Sequence, residues 1–114
     1  MIVSFDFDGT LECEEVQELV KITQDAGHKA VVLTTRYDDK DNFDLYQITE
    51  RLGIKEINFT NFEWKYTVID DLGIDLHIDD YSFEVERITT ECKAEAVLFR
   101  YKGWKKKFLS LILS

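Results

Sequence analysis

Proline is absent from the 114 residues, and glycine occurs five times. A chain so poor in breakers has no Pro-rich or Gly/Ser-rich linker, and no repeated segment suggests a solenoid. Cysteine is scarce too. Cys13 and Cys92 lack the CxxC or Cys/His spacing of a metal site, which favours free thiols in a reducing compartment. Long apolar runs are missing. "MIVSF" is cut off by Asp6 before a secretory h-region can form, and "FLSLILS" is far short of a bilayer span. The expectation is a soluble cytoplasmic protein with no membrane partner. Positive charge is the last shortage, with 14 Lys+Arg against 23 Asp+Glu and a net charge of -9. Such a surface argues against a general nucleic-acid coat, although a local basic site is still open to it.

What is present suits one domain over residues 1–114, since 45% hydrophobic content at this length supplies one core. Short apolar runs alternate with helical patterns. Ile2 to Phe7, "KAVVLTT" (29–35), "EINF" (56–59), "DLHID" (75–79) and "AEAVLF" (94–99) are expected strands. Glu14 to Ala26, Asn42 to Leu52, Phe62 to Leu72, Ser82 to Thr90 and a segment bearing Trp104, Phe108, Leu111 and Ile112 are expected helices. Gly53 and Gly73 stand where helix stops belong. Alternation of this kind implies a parallel sheet with right-handed crossovers, a three-layer α/β/α sandwich.

In such sheets the chemistry gathers at the carboxyl ends of the strands. Strand one ends in Asp6, Phe7, Asp8, Gly9 and Thr10; strand two in Thr34, Thr35 and Arg36; strand four in Asp79 and Asp80. Asp6 and Asp8 alternate with Phe5 and Phe7, so both carboxylates are expected on the same face of the strand. Lys65 lies just upstream of strand four and can lean over these acids. Converging carboxylates need a cation, and an all-oxygen donor set favours a hard one, Mg²⁺ above all.

"FDFDGTL", a threonine closing strand two, a lysine, and "HIDD" resemble, in order, the four motifs of the haloacid dehalogenase (HAD) superfamily of phosphatases and phosphotransferases. The resemblance covers Ile2 to about Asp80. It implies a Rossmann-like sheet of order 5-4-1-2-3, with Asp6 and Asp79 on neighbouring strands. It implies Asp6 as the nucleophile that forms an aspartyl-phosphate, and Asp8 as the acid that protonates the leaving oxygen and then deprotonates water. Mg²⁺ would sit on Asp6, the backbone carbonyl of Asp8 and Asp79, with Asp80 acting at one remove. Thr34, or Thr35 if the strand runs one residue further, would hold a phosphoryl oxygen, and Lys65 would supply positive charge. Gly9, Thr10, Thr35 and Arg36 complete the expected substrate contacts. An aspartate at position 8 is what family phosphatases carry.

The usual cap domain has no room here, neither after Leu11 nor between Arg36 and Lys65. The resemblance is therefore to small capless phosphatase-like members. An open mouth suits a bulky or macromolecular phosphorylated substrate, such as a phosphorylated nucleic-acid end, or a homodimer whose second subunit roofs the site. Two rivals stand beside the phosphatase. A receiver-type phosphoacceptor domain fits poorly, because strand three carries no aspartate; a non-catalytic interaction protein that keeps the metal site as a staple fits better. Among the remaining residues, His77 is expected as a buried, hydrogen-bonded strand histidine and His28 as an exposed turn residue. Arg36 either meets substrate or pairs with Asp38 or Asp39. "KGWKKKF" is expected as the solvated face of the last helix.

Overall fold

A computed structural model describes residues 1–39 and 41–114. Five strands form one parallel sheet: β1 (Ile2–Phe5), β2 (Lys29–Thr34), β3 (Ile57–Phe59), β4 (Leu76–Asp79) and β5 (Glu95–Leu98). Their order is β3-β2-β1-β4-β5, as expected. The register sets Phe5 beside Val32 on one side and Ile78 on the other, so the ends of β1, β2 and β4 come level.

Helices cover both faces. Helices α1 (Glu14–Asp25), α2 (Phe43–Leu52) and α4 (Trp104–Ile112) carry Val16, Leu19, Val20, Leu45, Phe108 and Ile112 into one apolar layer with Val3, Phe5, Val32 and Ile78. Helix α3 (Ser82–Glu91) puts Ile88 into the opposite layer with Leu33, Ile69, Ile74 and Ala96. Leu33 and Val32 thus face opposite ways, as strand alternation requires when both faces are covered. That is why "KAVVLTT" reads as an unbroken apolar run.

Two expected elements are shorter or absent. The strand expected to reach Phe7 stops at Phe5, and the chain enters a tight turn over Phe7–Leu11, with Gly9 at φ 76° and Leu11 N–H donating to the Asp6 carbonyl at 3.0 Å. Asp6 and Asp8 therefore do not share a strand face. The helix expected over Phe62 to Leu72 is a single 3₁₀ turn, Lys65–Thr67, followed by irregular turns. The run Trp64, Tyr66, Thr67, Val68, Ile69 is rich in aromatic and β-branched residues, which are weak helix formers. Its start is also held elsewhere: Phe62 N–H donates to the Thr35 carbonyl at 2.7 Å and Asn61 N–H to that of Arg36 at 3.3 Å.

His28 is not the exposed turn residue expected. It is half-buried, donating from Nε2 to the Ile112 carbonyl at 2.7 Å and accepting from the Met1 amino group at Nδ1, 3.1 Å. A carbonyl only accepts, which fixes the Nε2–H form. The lysines of α4 are only partly a solvated face, because Lys107 donates to the Ala96 carbonyl at 2.9 Å.

Candidate functional site

Asp6 leaves the end of β1 and donates its backbone N–H to the Ile78 carbonyl at 3.0 Å, which pins it beside β4. Its side chain is buried, with the residue 5% exposed. Oδ2 accepts from the Thr10 hydroxyl at 3.0 Å, so the tight turn that carries Thr10 folds back onto the carboxylate it follows. Oδ1 accepts from Lys65 Nζ at 2.5 Å, and the same ammonium donates to Asp79 Oδ2 at 2.5 Å. Lys65 thus bridges two buried carboxylates from neighbouring strand ends.

Asp79 is oriented from behind. His77 donates from Nε2 to Asp79 Oδ2 at 2.8 Å, and its Nδ1 accepts from the Ser4 hydroxyl at 2.6 Å. The register pairs Ser4 with His77, so this buried chain of side chains follows from the strand alignment. Tyr81 N–H donates to Asp79 Oδ1 at 3.0 Å. The turn that bears Lys65 is fastened to α3 by Tyr66 N–H, which donates to the buried Glu84 carboxylate at 3.0 Å.

Burial dominates the protonation of this group. It pushes the Asp6 carboxyl up to about 8; the Asp79 charge adds to the rise, while Lys65 opposes it. Asp79 goes the other way: burial works against its charge, but the His77 and Lys65 contacts outweigh it and hold its carboxyl low. Burial would also strip the proton from Lys65, yet Asp6 and Asp79 together keep its affinity for that proton raised. His77 is held neutral by burial, as its donor–acceptor pairing requires. Two buried carboxylates share one ammonium, and burial makes Asp6 the one that holds a proton more tightly.

The donor set fits such a cation. Asp6, Asp79 and Asp80 offer oxygens that all lie within 4.8 Å of one another. That is the size of an oxygen cage around a hard ion bound at about 2.1–2.5 Å per ligand. Asp80 is exposed and stands over the tight turn, where a Cβ on Gly9 would collide with its carboxylate. Gly9 is required for its positive φ, whereas the exposed Asp80 side chain could swing aside from an added Cβ.

Asp8 lies outside this cluster. It is exposed, and Arg36 grips both its oxygens, Nε to Oδ2 at 3.0 Å and Nη2 to Oδ1 at 2.7 Å. Arg36 also donates to both oxygens of Asp44, at 2.8 and 2.9 Å, and to Asn42 Oδ1 at 3.3 Å, while stacking 4.8 Å over the Phe7 ring. The partners expected for it, Asp38 and Asp39, are not the ones it takes. Thr34 ends β2 as a fully buried residue, its hydroxyl accepting from Arg36 N–H at 3.2 Å. Thr35 is half-buried and contributes its carbonyl to Phe62.

Sequence reasoning missed Ser4, Glu84, Asn42 and Asp44. Ser4 had a signal, because it lies two residues before Asp6 on the same strand face. The other three depend on how helices pack, and no spacing announces that.

No protein-family model and no curated protein matches the chain. Among solved structures it is similar to an uncharacterized protein from Corynebacterium glutamicum ATCC 13032 Kitasato. The TM-score is 0.75 at 11% sequence identity, over 97% of this chain and 93% of that one. At that identity the likeness shows the fold alone. The chain has a Rossmannoid α/β fold with a cluster of three aspartates at the strand ends, two of them buried. No described helix is long and apolar enough to cross a membrane.

Proposed function

We propose that the chain is a capless phosphomonoester hydrolase that works through an aspartyl-phosphate on Asp6. The observation that carries this reading is the buried Asp6–Lys65–Asp79 bridge at the ends of β1 and β4. Burying two carboxylates around one ammonium is costly for a fold that needs only packing. It suits a centre that must receive a dianionic group and spread its charge.

Mg²⁺ held by Asp6 and Asp79, with Asp80 beside them, would supply the positive charge that lets Asp6 stay ionised near neutral pH. Asp6 Oδ then forms a bond to phosphorus as the ester P–O bond breaks. The Thr34 hydroxyl has no bond partner for its own proton among the described residues, so it can donate to a phosphoryl oxygen. Lys65 adds charge from the buried side. Asp8 carries the proton: it gives one to the departing oxygen and takes one from the water that attacks the phosphoenzyme, which regenerates Asp6 and frees phosphate. Reaching those oxygens requires Asp8 to leave Arg36. The rim is therefore the moving part of the cycle.

Asp8's capture by Arg36 is also the observation that favours a second reading, a binding protein that never turns over. Phosphate release from a panel of phosphate esters by the purified protein decides between them. The expected result is turnover with Mg²⁺, abolished by EDTA and by Asp6→Asn. No release above the metal blank across the panel would overturn the hydrolase.

A further inference from the structure

Exposed aromatic residues crowd the carboxyl end of the sheet, and one of them is held there against its backbone preference. Trp64, Tyr81 and Phe83 cover one another, with ring centroids 5.1–6.3 Å apart. Phe62 is different. It is 71% exposed, and its ring neighbour is Tyr37 at 5.0 Å. Its φ is 66°, directly after Asn61 at 55°. A left-handed backbone is unfavourable for a bulky residue, and burial of the ring does not compensate here, because the ring stays in water. The turn is nonetheless fastened: Asn61 and Phe62 donate to the carbonyls of Arg36 and Thr35, and the Thr60 hydroxyl to that of Glu63 at 2.7 Å. The fold presents the exposed Phe62 ring beside the site, with the Tyr37 ring tilted 58° against it.

Beside that face lies a cleft of about 360 Å³, lined by Arg36, Tyr37, Asn42, Asp44 and Phe62 among others. Its guanidinium is saturated. Nε and Nη2 are given to Asp8, Nη1 and Nη2 to Asp44, and Nη1 to Asn42. The donors given to Asp44 and Asn42, which line the cleft, stay used even when Asp8 leaves, so Arg36 is a poor claw for a second anion there. Asp39 and Asp41 also line the cleft, and their carboxylates offer acceptors. A planar, uncharged ring whose edge carries N–H or O–H donors matches this lining, and a further phosphate does not. The net charge of -9 opposes longer nucleic acid, and equally a second copy of this chain.

We infer that the Tyr37–Phe62 cleft holds the base of a nucleoside monophosphate whose phosphate lies at Asp6, an inference that rests on the phosphomonoester reading above. The base stacks on the exposed Phe62 ring, with the tilted Tyr37 ring against its edge, while the carboxylates beside the cleft accept from ribose hydroxyls and exocyclic amines. Stacking of a base on an aromatic side chain is worth about five- to a hundred-fold in affinity.

With Ca²⁺ replacing Mg²⁺ to slow turnover, adenosine and uridine monophosphates, ribose 5-phosphate, inorganic phosphate and a 5′-phosphorylated dinucleotide are titrated into the protein by calorimetry. The monophosphates should bind at least about five-fold tighter than ribose 5-phosphate. Phe62→Gly should erase that advantage. Because glycine relieves the left-handed strain, its melting temperature should hold or rise, so the loss cannot be unfolding. Equal affinities for nucleotide and ribose 5-phosphate would overturn the base site while leaving the phosphoryl site standing. Binding of none of the phosphates would instead remove the phosphomonoester reading, and this inference with it. A dinucleotide that binds tighter than the monophosphates would overturn the free nucleotide as source in favour of a nucleic-acid end. A dimer by light scattering that Phe62→Gly dissolves would overturn the base site by assigning the ring to an interface.

Discussion

Asp6 and Asp8 are the same residue type with a single phenylalanine between them, and the fold treats them in opposite ways. Asp6 is buried, bonded to Thr10 and Lys65, and its carboxyl is pushed up to about 8 chiefly by burial. Asp8 is exposed and paired with Arg36 at 2.7 Å. The cause is the backbone between them. Asp6 still belongs to the sheet, since its N–H donates to β4, whereas Asp8 (ψ 120°) already turns away into the Gly9 kink. The difference separates a buried floor from a solvent-facing rim. A nucleophile gains from being fixed, because orientation accounts for much of its advantage; a group that must deliver a proton and take another must reach two places.

The sharpest way to test that division is to compare the two aspartates by substitution. Asp6→Asn should lower turnover by roughly 10³-fold or more for every ester, because the other buried carboxylate, Asp79, has both oxygens held by Lys65, His77 and the Tyr81 N–H. Asp8→Asn should be severe only where the leaving group needs a proton. With a good leaving group the phosphoenzyme should still form, and a burst detected by rapid quench would show it. If both variants fail equally on an ester with a good leaving group, the assigned division of labour is wrong.

Lys65→Met tests the floor by stability. It leaves two buried carboxylates without their shared ammonium, and breaking a buried pair costs about 3–5 kcal/mol, here towards the lower end because one acid can take a proton. For a domain of this size that is roughly 10 °C or more in melting temperature. Mg²⁺ should restore more of the loss in the variant than it adds to the wild type, because it substitutes for the missing positive charge. Thermal melts with Mg²⁺ and with EDTA measure this, and an equal Mg²⁺ increment in both proteins would break the claim that lysine and cation answer the same charge.

That floor was largely legible in the sequence, and the rim was not. Asp6, Asp79 and Lys65 are positions where a charged residue interrupts or adjoins an apolar run, and parallel order alone brings strand ends together. His77 was legible for the same reason, as a polar residue inside a buried strand. The β1 terminus was misjudged, since period-two alternation in "SFDFD" continues past the residue where hydrogen bonding stops. The helix expected over Phe62 to Leu72 failed because apolar spacing alone does not decide between a helix and a chain pinned by neighbouring carbonyls. Arg36 had acids beside it in sequence at Asp38 and Asp39. It chose Asp8 and Asp44, which the β1 turn and the first turn of α2 bring to it from opposite sides.

Arg36→Ala should sharpen the picture of the rim. Its ion pairs are solvent-facing, with the Asp8 and Asp44 side chains both 53% exposed, so their contribution to stability should be about 0.5 kcal/mol each at most. Turnover should change more than stability does. Freed from its anchor, Asp8 loses its defined starting position, and kcat should shift by roughly ten-fold with melting nearly unmoved. A large drop in melting temperature would mean that Arg36 is structural rather than a positioning residue for Asp8.

The last comparison is the acid response of floor and rim, in which the rim's share is the smallest expected effect, read in EDTA so that no divalent cation intervenes. Asp6 has a folded pKa near 8 against an ordinary value of 3.8. Between those values the folded protein holds a proton that the unfolded chain has lost, so stability should rise as pH falls from about 8 into the acid range. Asp44 is the reverse case. Its hydrogen bonds to Arg36 lower its carboxyl below 3.8, so its contribution is complete above that pH and is lost as pH falls below it. Because Asp44 faces solvent, that loss should amount to only tenths of a kcal/mol. Melting curves from pH 9 to 3 for the wild type, Asp6→Asn and Asp44→Asn separate the two. Asp6→Asn should flatten the rise below pH 8 and leave the acid limb alone, while Asp44→Asn should slightly soften the acid limb and leave the rise intact. If Asp6→Asn leaves the profile between pH 8 and 5 unchanged, then Asp6 is ionised in the cation-free fold. The ammonium of Lys65 would then be enough for both carboxylates, and the site would have no electrostatic need for a second cation.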